Sequence, residues 1–186
     1  MLHSDLIQAF PEVVGPNLCH ALMDVFELHP QSQRILRNEG RPNFRDVSLQ
    51  RIPAAEPYLP IIQKALQRAF QRYVLALPSE LTAHFPAQFN LEEFRVKRYL
   101  PGGEERFDTH VDVQDHISAR RFLAFLLFLN TVEEGGETVF QLEKEYSFSP
   151  QTGTMLVFPP SWSFPHRGAP PISGPKYIFS SYLHFV

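Results

Sequence analysis

From about Leu91 to the C-terminus the hydrophobic segments are short: 91–100, 106–113, 121–130, 137–140, 146–149, 154–159, 164–168 and 175–185. Pro101-Gly102-Gly103, Glu134-Gly135-Gly136, Pro150-Gln151-Thr152-Gly153, Pro159-Pro160 and Ser173-Gly174-Pro175 separate them. Proline cannot donate to a strand ladder and glycine opens turn conformations, so such clusters end strands. Roughly eight short strands at this spacing indicate a β-sandwich or barrel, with a jelly roll as the natural candidate.

The first half has a different period. Pro16 stands at a first helical position, and Leu18, Leu22, Val25 and Phe26 share one face until Pro30. Tyr58, Ile61, Ile62, Ala65, Leu66, Ala69, Phe70, Tyr73 and Leu77 then follow the i, i+3, i+4 pattern until Pro78. A strand is expected over 44–52. The spacing therefore predicts a mostly β chain with flanking helices packed on one sheet. Residues 1–90 form a helical support region and 91–186 a jelly-roll core, within a single domain of 186 residues.

Composition closes off several classes. The net charge is −3, and neither half carries the basic surface that a phosphate backbone would require. Nucleic acid is not expected as a partner. Cys19 is the only cysteine, which excludes an intramolecular disulfide and thiolate zinc sites. No apolar run approaches the roughly 20 residues that span a bilayer, and the first ten residues lack the basic start of a signal peptide. A cytoplasmic protein without a membrane partner is the expectation.

The chemistry begins at His110-Val111-Asp112. On a strand, residues two apart face the same way, so an imidazole and a carboxylate can converge on one ion. With 8 His among 186 residues, the pattern alone is weak and a surface pair at a strand end explains it equally well. His166 adds a second imidazole on the next-to-last expected strand. Two histidines and one carboxylate leave open positions on Fe(II), as oxygen chemistry requires. Lys176, on the last strand, is a point charge suited to the buried distal carboxylate of a chelating 2-oxo acid.

Five blocks carry a family resemblance. Arg98-Tyr99-Leu100-Pro101-Gly102-Gly103 followed by His110-Val111-Asp112 is similar to an R-Y-x-x-G lead into H-x-D. Arg121 through Phe128-Leu129-Asn130, and then Gly135-Gly136-Glu137-Thr138-Val139-Phe140, is similar to an R…Y-L-N…G-G-E-T-x-F run. Pro150 to Phe158 matches a P-x-x-G stretch before the distal histidine, and Gly174-Pro175-Lys176 a G-x-K ending. In this order the blocks resemble the prolyl 4-hydroxylase-like branch of the Fe(II)/2-oxoglutarate-dependent dioxygenases.

The resemblance implies a double-stranded β-helix, the jelly-roll variant with its metal between two sheets. Iron would be held by His110, Asp112 and His166. Lys176 would hold the 2-oxoglutarate co-substrate, with the Tyr99 hydroxyl beside it. O₂ is the second co-substrate, and ascorbate comes with the family as an accessory. The activity implied is hydroxylation of an unactivated C–H bond, with release of succinate and CO₂. The acceptor expected is a prolyl residue in a peptide or protein, the alternative a free amino acid or other small molecule.

Tyr182, where the family usually has Trp, would wall the pocket. Ala124 and Phe128 replace hydroxyl-bearing residues of the family, and Ser180 is a candidate to substitute for them. Arg167, Arg106 and His116 are candidates to meet the acceptor. Asn130 and Gly135-Gly136 are expected to shape a turn. A metal-binding cupin-like jelly roll without oxygenase activity would account for the His and Asp residues, but not for Lys176, Tyr99 or the block order. A silent binding module is argued against by the intact ligand set, and a nucleic-acid demethylase by the absence of a basic face.

Overall fold

The structure is a computed structural model that describes residues 3–37 and 42–186; Met1 and Leu2, the start of the segment weighed as a leader, lie outside it. The first half contributes β1 (Gln8–Phe10), α1 (Pro16–Glu27), β2 (Arg34–Arg37), β3 (Asn43–Ser48), α2 (Leu59–Ala76) and the single turn α3 (Ser79–Thr82). The second half supplies β4 (Phe89–Leu91), β5 (Arg95–Tyr99), β6 (Phe107–His110), β7 (Arg121–Phe128), β8 (Thr138–Gln141), β9 (Glu145–Phe148), β10 (Met155–Phe158), β11 (His166–Gly168) and β12 (Lys176–Phe185).

Eight strands make the major sheet, in the order β1-β10-β7-β12-β5-β3-β2 with β4 also paired to β12; β6-β11-β8-β9 make the minor one. Every pairing is antiparallel. The result is a jelly roll.

Strand alternation sorts the major sheet into two faces. Leu123, Phe125 and Leu127 of β7, with Val96, Val157, Phe179 and Leu183, turn toward the helices. There they meet Leu22, Val25 and Phe26 of α1 and Ile62, Leu66, Ala69 and Tyr73 of α2. The helical stripes are thus covered by a sheet, apart from Ile61, which stays about half exposed. The intervening residues Ala124, Phe128, Leu156, Phe158 and Ile178 face the minor sheet's Phe140. Each fully buried phenylalanine contributes about 1.5–3 kcal/mol by leaving water, and that inner apolar layer floors the space where the polar groups collect.

The helices begin and end where their prolines dictate. Pro16 and Pro60 occupy first-turn positions, where no N–H donor is lost. Leu77, ahead of Pro78, is already extended at ψ 154° and closes α2.

The first half, read as helical with one strand over 44–52, holds more strand than expected. β1 and β2 belong to the major sheet, and β3 lies near the expected 44–52 strand but stops at Ser48, where the chain turns into a 3-10 helix at Leu49–Arg51. β1 and β2 have three and four residues, too short to show a period. β1 sits at the end of the described sheet on β10 and is specified by pairing rather than by its own pattern. Among the described residues, no helix is long and apolar enough to cross a membrane.

Candidate metal and 2-oxo acid site

His110 and His166 lie directly opposite one another where β6 pairs with β11. The Nδ1 of His110 faces the Asp108 carbonyl at 2.8 Å, and that of His166 faces the Phe164 carbonyl at 3.0 Å. A carbonyl only accepts, so in both rings Nδ1 carries the hydrogen and Nε2 presents its lone pair to the centre. Phe107 stacks on His110 with centroids 3.4 Å apart, and Phe140 and Phe158 flank His166 at 5.2 and 5.1 Å. The rings are therefore fixed by packing as well as by hydrogen bonds.

Asp112 completes the cluster by a route that differs from the expected one. β6 ends at His110, so Asp112 comes from the turn beyond the strand and strand alternation does not place it. Its Oδ1 lies 3.7 Å from His110 Nε2 and its Oδ2 3.7 Å from His166 Nε2. These separations are too long for hydrogen bonds and suit ligands that share one ion; all three donor atoms fall within 4.8 Å of one another.

The Asp112 position is set from behind. The Tyr182 hydroxyl donates to Asp112 Oδ1 at 2.9 Å, and Arg121 Nη1 donates to the Asp112 carbonyl at 3.0 Å. Arg121 also grips Glu92 through Nε and Nη2 at 2.8–3.0 Å, and its guanidinium lies 4.1 Å over the Tyr182 ring. Burial alone would raise the Asp112 carboxyl. His166, His110 and Lys97 outweigh it and hold the group well below the usual carboxylate range. Burial lowers the His166 imidazole against the pull of Asp112. A divalent cation would take the carboxylate together with the two imidazole nitrogens that face it.

The second subsite is built around Lys176, which stands opposite Tyr99 across the β12–β5 ladder. Its side chain is buried with no ion-pair partner among the described residues, and its Nζ lies 5.7 Å from the Tyr99 ring and 5.5 Å from the Phe128 ring. Burial pulls its ammonium down to about 7, against Glu137. Asn130 pins the backbone on both sides of it, donating to the Pro175 carbonyl and accepting from the Tyr177 N–H, each at 2.8 Å. Gly135 and Gly136 turn at φ 75° and 76°, where a Cβ on Gly135 would meet the Pro170 carbonyl oxygen at 2.6 Å. The turn-shaping reading of Asn130 and the two glycines agrees with this geometry.

Thr138 was missed in the sequence. Its Oγ1 is buried, lacks a hydrogen-bond partner and belongs to the same cavity lining as Lys176 and Tyr99. A buried orphan hydroxyl beside an unpaired ammonium is what a carboxylate would satisfy, so these residues fit the distal end of a 2-oxo dicarboxylic acid. Ser180 fits that role less well. It lines the cavity, but it is four residues along β12 from Lys176, about 13 Å at strand rise.

The remaining candidates separate. Arg167 lines the cavity and reaches Glu145 Oε2 at 3.3 Å. Arg106 is held by Asp108 at 2.8 Å and by the Gly103 carbonyl at 3.1 Å. His116 is exposed, outside the described cavity linings, on a link that Ser118 and Asp115 staple into a tight turn. Lys97, which the sequence reading passed over, lines both the metal chamber and an adjoining cleft of ≈ 390 Å³.

Residues 94–184 match the model of the 2OG-Fe(II) oxygenase superfamily. This part of the chain, just under half of it, is similar to that superfamily. Prolyl 4-hydroxylase 13 of Arabidopsis thaliana is 38% identical over 68 residues, which cover 34% of this chain and 24% of that protein. Probable prolyl 4-hydroxylase 9 of the same plant is 42% identical over 57 residues, 28% of this chain and 19% of that one. The matches span about a quarter or less of these relatives.

Solved structures cover far more. A viral collagen prolyl hydroxylase from Paramecium Bursaria Chlorella virus-1 superposes with a TM-score of 0.70 at 20% identity, covering 97% of both chains. A Trichoplax adhaerens prolyl hydroxylase, solved with a hypoxia inducible factor peptide fragment, gives 0.71 at 15% identity over 97% of this chain and 84% of that one. At these identities the likeness shows a shared fold.

Proposed function

We propose that this chain is a single-domain Fe(II)- and 2-oxoglutarate-dependent dioxygenase that hydroxylates a prolyl residue in a peptide or protein. The observation that carries the reading is the pairing of two sites in one cavity: a His-Asp-His cluster with both Nε2 lone pairs directed inward, and an unpaired buried lysine beside an orphan threonine hydroxyl. A metal-binding jelly roll without the oxygenase reaction has no use for the second of these.

When bound, Fe(II) with 2-oxoglutarate and O₂ supplies the hard chemistry, oxidative decarboxylation to succinate and CO₂ coupled to hydroxylation of a C–H bond. The chain's own residues bind and orient. His110, Asp112 and His166 are the metal ligands; Tyr182 restrains the carboxylate among them and Arg121 the Asp112 backbone. Lys176, Thr138 and Tyr99 receive the distal carboxylate of the co-substrate. Phe107, Phe158 and Ile178 line the chamber and exclude water. Ascorbate as an accessory reductant and a cytoplasmic location belong to the same reading.

A polypeptide acceptor is supported by the cleft that adjoins the chamber and by the bare apolar surface near it. Ile117 lines the cleft and is 75% exposed, and Trp162 is 83% exposed two residues beyond Pro160, whose carbonyl accepts the Val113 N–H. Large apolar side chains left in water beside a cleft suit a partner's surface. The related prolyl 4-hydroxylases and the peptide-bound Trichoplax adhaerens enzyme support the same acceptor class. The test supplies proline-containing peptides and free amino acids separately and follows succinate and a gain of one oxygen. Coupled turnover on free amino acids alone would replace the peptidyl acceptor by a small molecule. Absence of any Fe(II)-dependent succinate release would remove the oxygenase reading itself.

A further inference from the structure

The cleft beside the metal chamber is rich in charge, and almost all of that charge is neutralised within the protein. Alternation along β3 and β5 turns Asp46, Arg95, Lys97 and Tyr99 to the inner face, where Asp46 pairs with Lys97 and Lys176 with Tyr99 in the ladder. Arg34 holds Asp46 with two hydrogen bonds at 2.7 and 3.0 Å, and Arg95 adds a third at 3.0 Å while also pairing with Glu93. Arg121 is bound to Glu92. Lys97 differs from all of these. Among the described residues its ammonium has neither an ion-pair partner within 4.0 Å nor a hydrogen bond, and its end lies 5.5 Å from the Phe44 ring.

Its surroundings leave it without a counter-ion once the site is loaded. Asp112 and Asp46 are the carboxylates that act on it most strongly. Asp46 is taken by two arginines, and Asp112 belongs to the metal. The double charge of Fe(II) and the single charge of Lys176 are matched by Asp112 and the dianionic co-substrate. The positive charge of Lys97 is then left over, at the place where the chamber opens into the cleft. A partly desolvated cation with no partner draws an anion to itself.

We infer that Lys97 receives a carboxylate of the acceptor, so that the enzyme selects prolyl substrates with an acidic group close to the hydroxylated residue. The inference rests on the oxygenase reading and narrows its substrate class. The carboxylate has two possible sources, the C-terminal carboxylate of a terminal proline or an Asp or Glu side chain next to an internal one. Both present the same chemistry to Lys97.

The experiment uses the full chain and matched acceptors: peptides ending in proline as free acid and as amide, and internal-proline peptides flanked by Glu or by Gln. Acceptor binding is measured anaerobically by calorimetry with Fe(II) and 2-oxoglutarate present, and kcat/KM by succinate release above the acceptor-free rate. One of the two acid/neutral pairs is expected to differ by about 10- to 100-fold in favour of the acid, the scale of one charge-assisted hydrogen bond. Which pair differs identifies the source. Lys97→Met should bring that ratio close to one, and Lys97→Arg should keep most of it. Lys97→Gln serves if the Met variant does not fold.

Equal use of acid and neutral acceptors by the wild type would overturn the inference, as would a Lys97→Met protein that keeps the preference. A Lys97→Met protein that instead loses affinity for 2-oxoglutarate, with the ratio unchanged, would place Lys97 in the co-substrate site and equally overturn it. If no acceptor raises the rate while acceptor-free 2-oxoglutarate turnover persists, the oxygenase reading survives and this inference does not.

Discussion

Replacing Lys176 with Met should move two properties in opposite directions. The ammonium is buried without a partner, and its pKa falls from 10.5 to about 7. A lysine with a depressed folded pKa destabilises the fold when it is charged. The penalty is complete below about pH 7, declines as pH rises from 7 toward 10.5, and vanishes above. At 1.36 kcal/mol for each tenfold change, it is on the order of 4 kcal/mol at neutral pH. Methionine fills similar volume without the charge, so the metal-free variant should melt above the wild type by roughly 8–16 °C at pH 6.5. The gap should close by pH 10. Affinity for 2-oxoglutarate should meanwhile fall by about 10²–10⁴-fold, the cost of a buried unpaired carboxylate. Lys176→Arg should recover part of this only, since Cδ lies 3.4 Å from where a Cβ on Gly136 would sit and leaves little room for a planar fork. Thermal unfolding across pH and calorimetry with Fe(II) present read the two effects. A Met variant with wild-type affinity and wild-type melting would refute both the burial argument and the assignment.

Two further outcomes follow from the metal side of the cavity. Alanine at His110, Asp112 or His166 should abolish Fe(II) retention, measured by metal content after gel filtration, whereas His116→Ala should leave it unchanged because His116 lies in water outside the described cavity linings. Tyr182→Phe removes the hydroxyl that holds Asp112 Oδ1 but keeps the ring under Arg121; Fe(II) affinity should weaken by about 10- to 100-fold with the fold intact, and an unchanged affinity would show that the Tyr182 hydroxyl is not needed to hold the carboxylate.

Most strands of the second half were visible in the sequence. Turn clusters mark many strand ends between β5 and β12, since Gly or Pro stands close to the ends of β5, β8, β10 and β12. The candidate metal ligands stand out by the order of their blocks rather than by H-x-D itself. The chain carries that pattern twice, and His3-Ser4-Asp5 sits in a 3-10 turn where His3 packs edge-on against Phe164. The expected reason for the converging pair was also mistaken, since Asp112 is placed by Tyr182 and Arg121 from β12 and β7, contacts that span 70 and 9 residues.

What stayed hidden shares one physical cause: it depends on which strands lie side by side. β1 and β2 owe their existence to partners, and a three-residue strand has no period to read. Thr138 follows Gly135-Gly136-Glu137, but its orphaned hydroxyl becomes informative only when β8 is set across the cavity from Lys176. Lys97 could have been found from alternation alone, because it is two residues from Tyr99 and must share its face. In a charged strand reading Arg95-Val96-Lys97-Arg98, however, nothing marks which cation lacks a partner. Arg98 turns the other way and binds Glu27 of α1 at 2.7 Å, and Arg95 is held by Asp46 and Glu93. Only when those pairs are in place does Lys97 remain over, and an unpaired charge beside a reaction centre is a statement about what has yet to bind there.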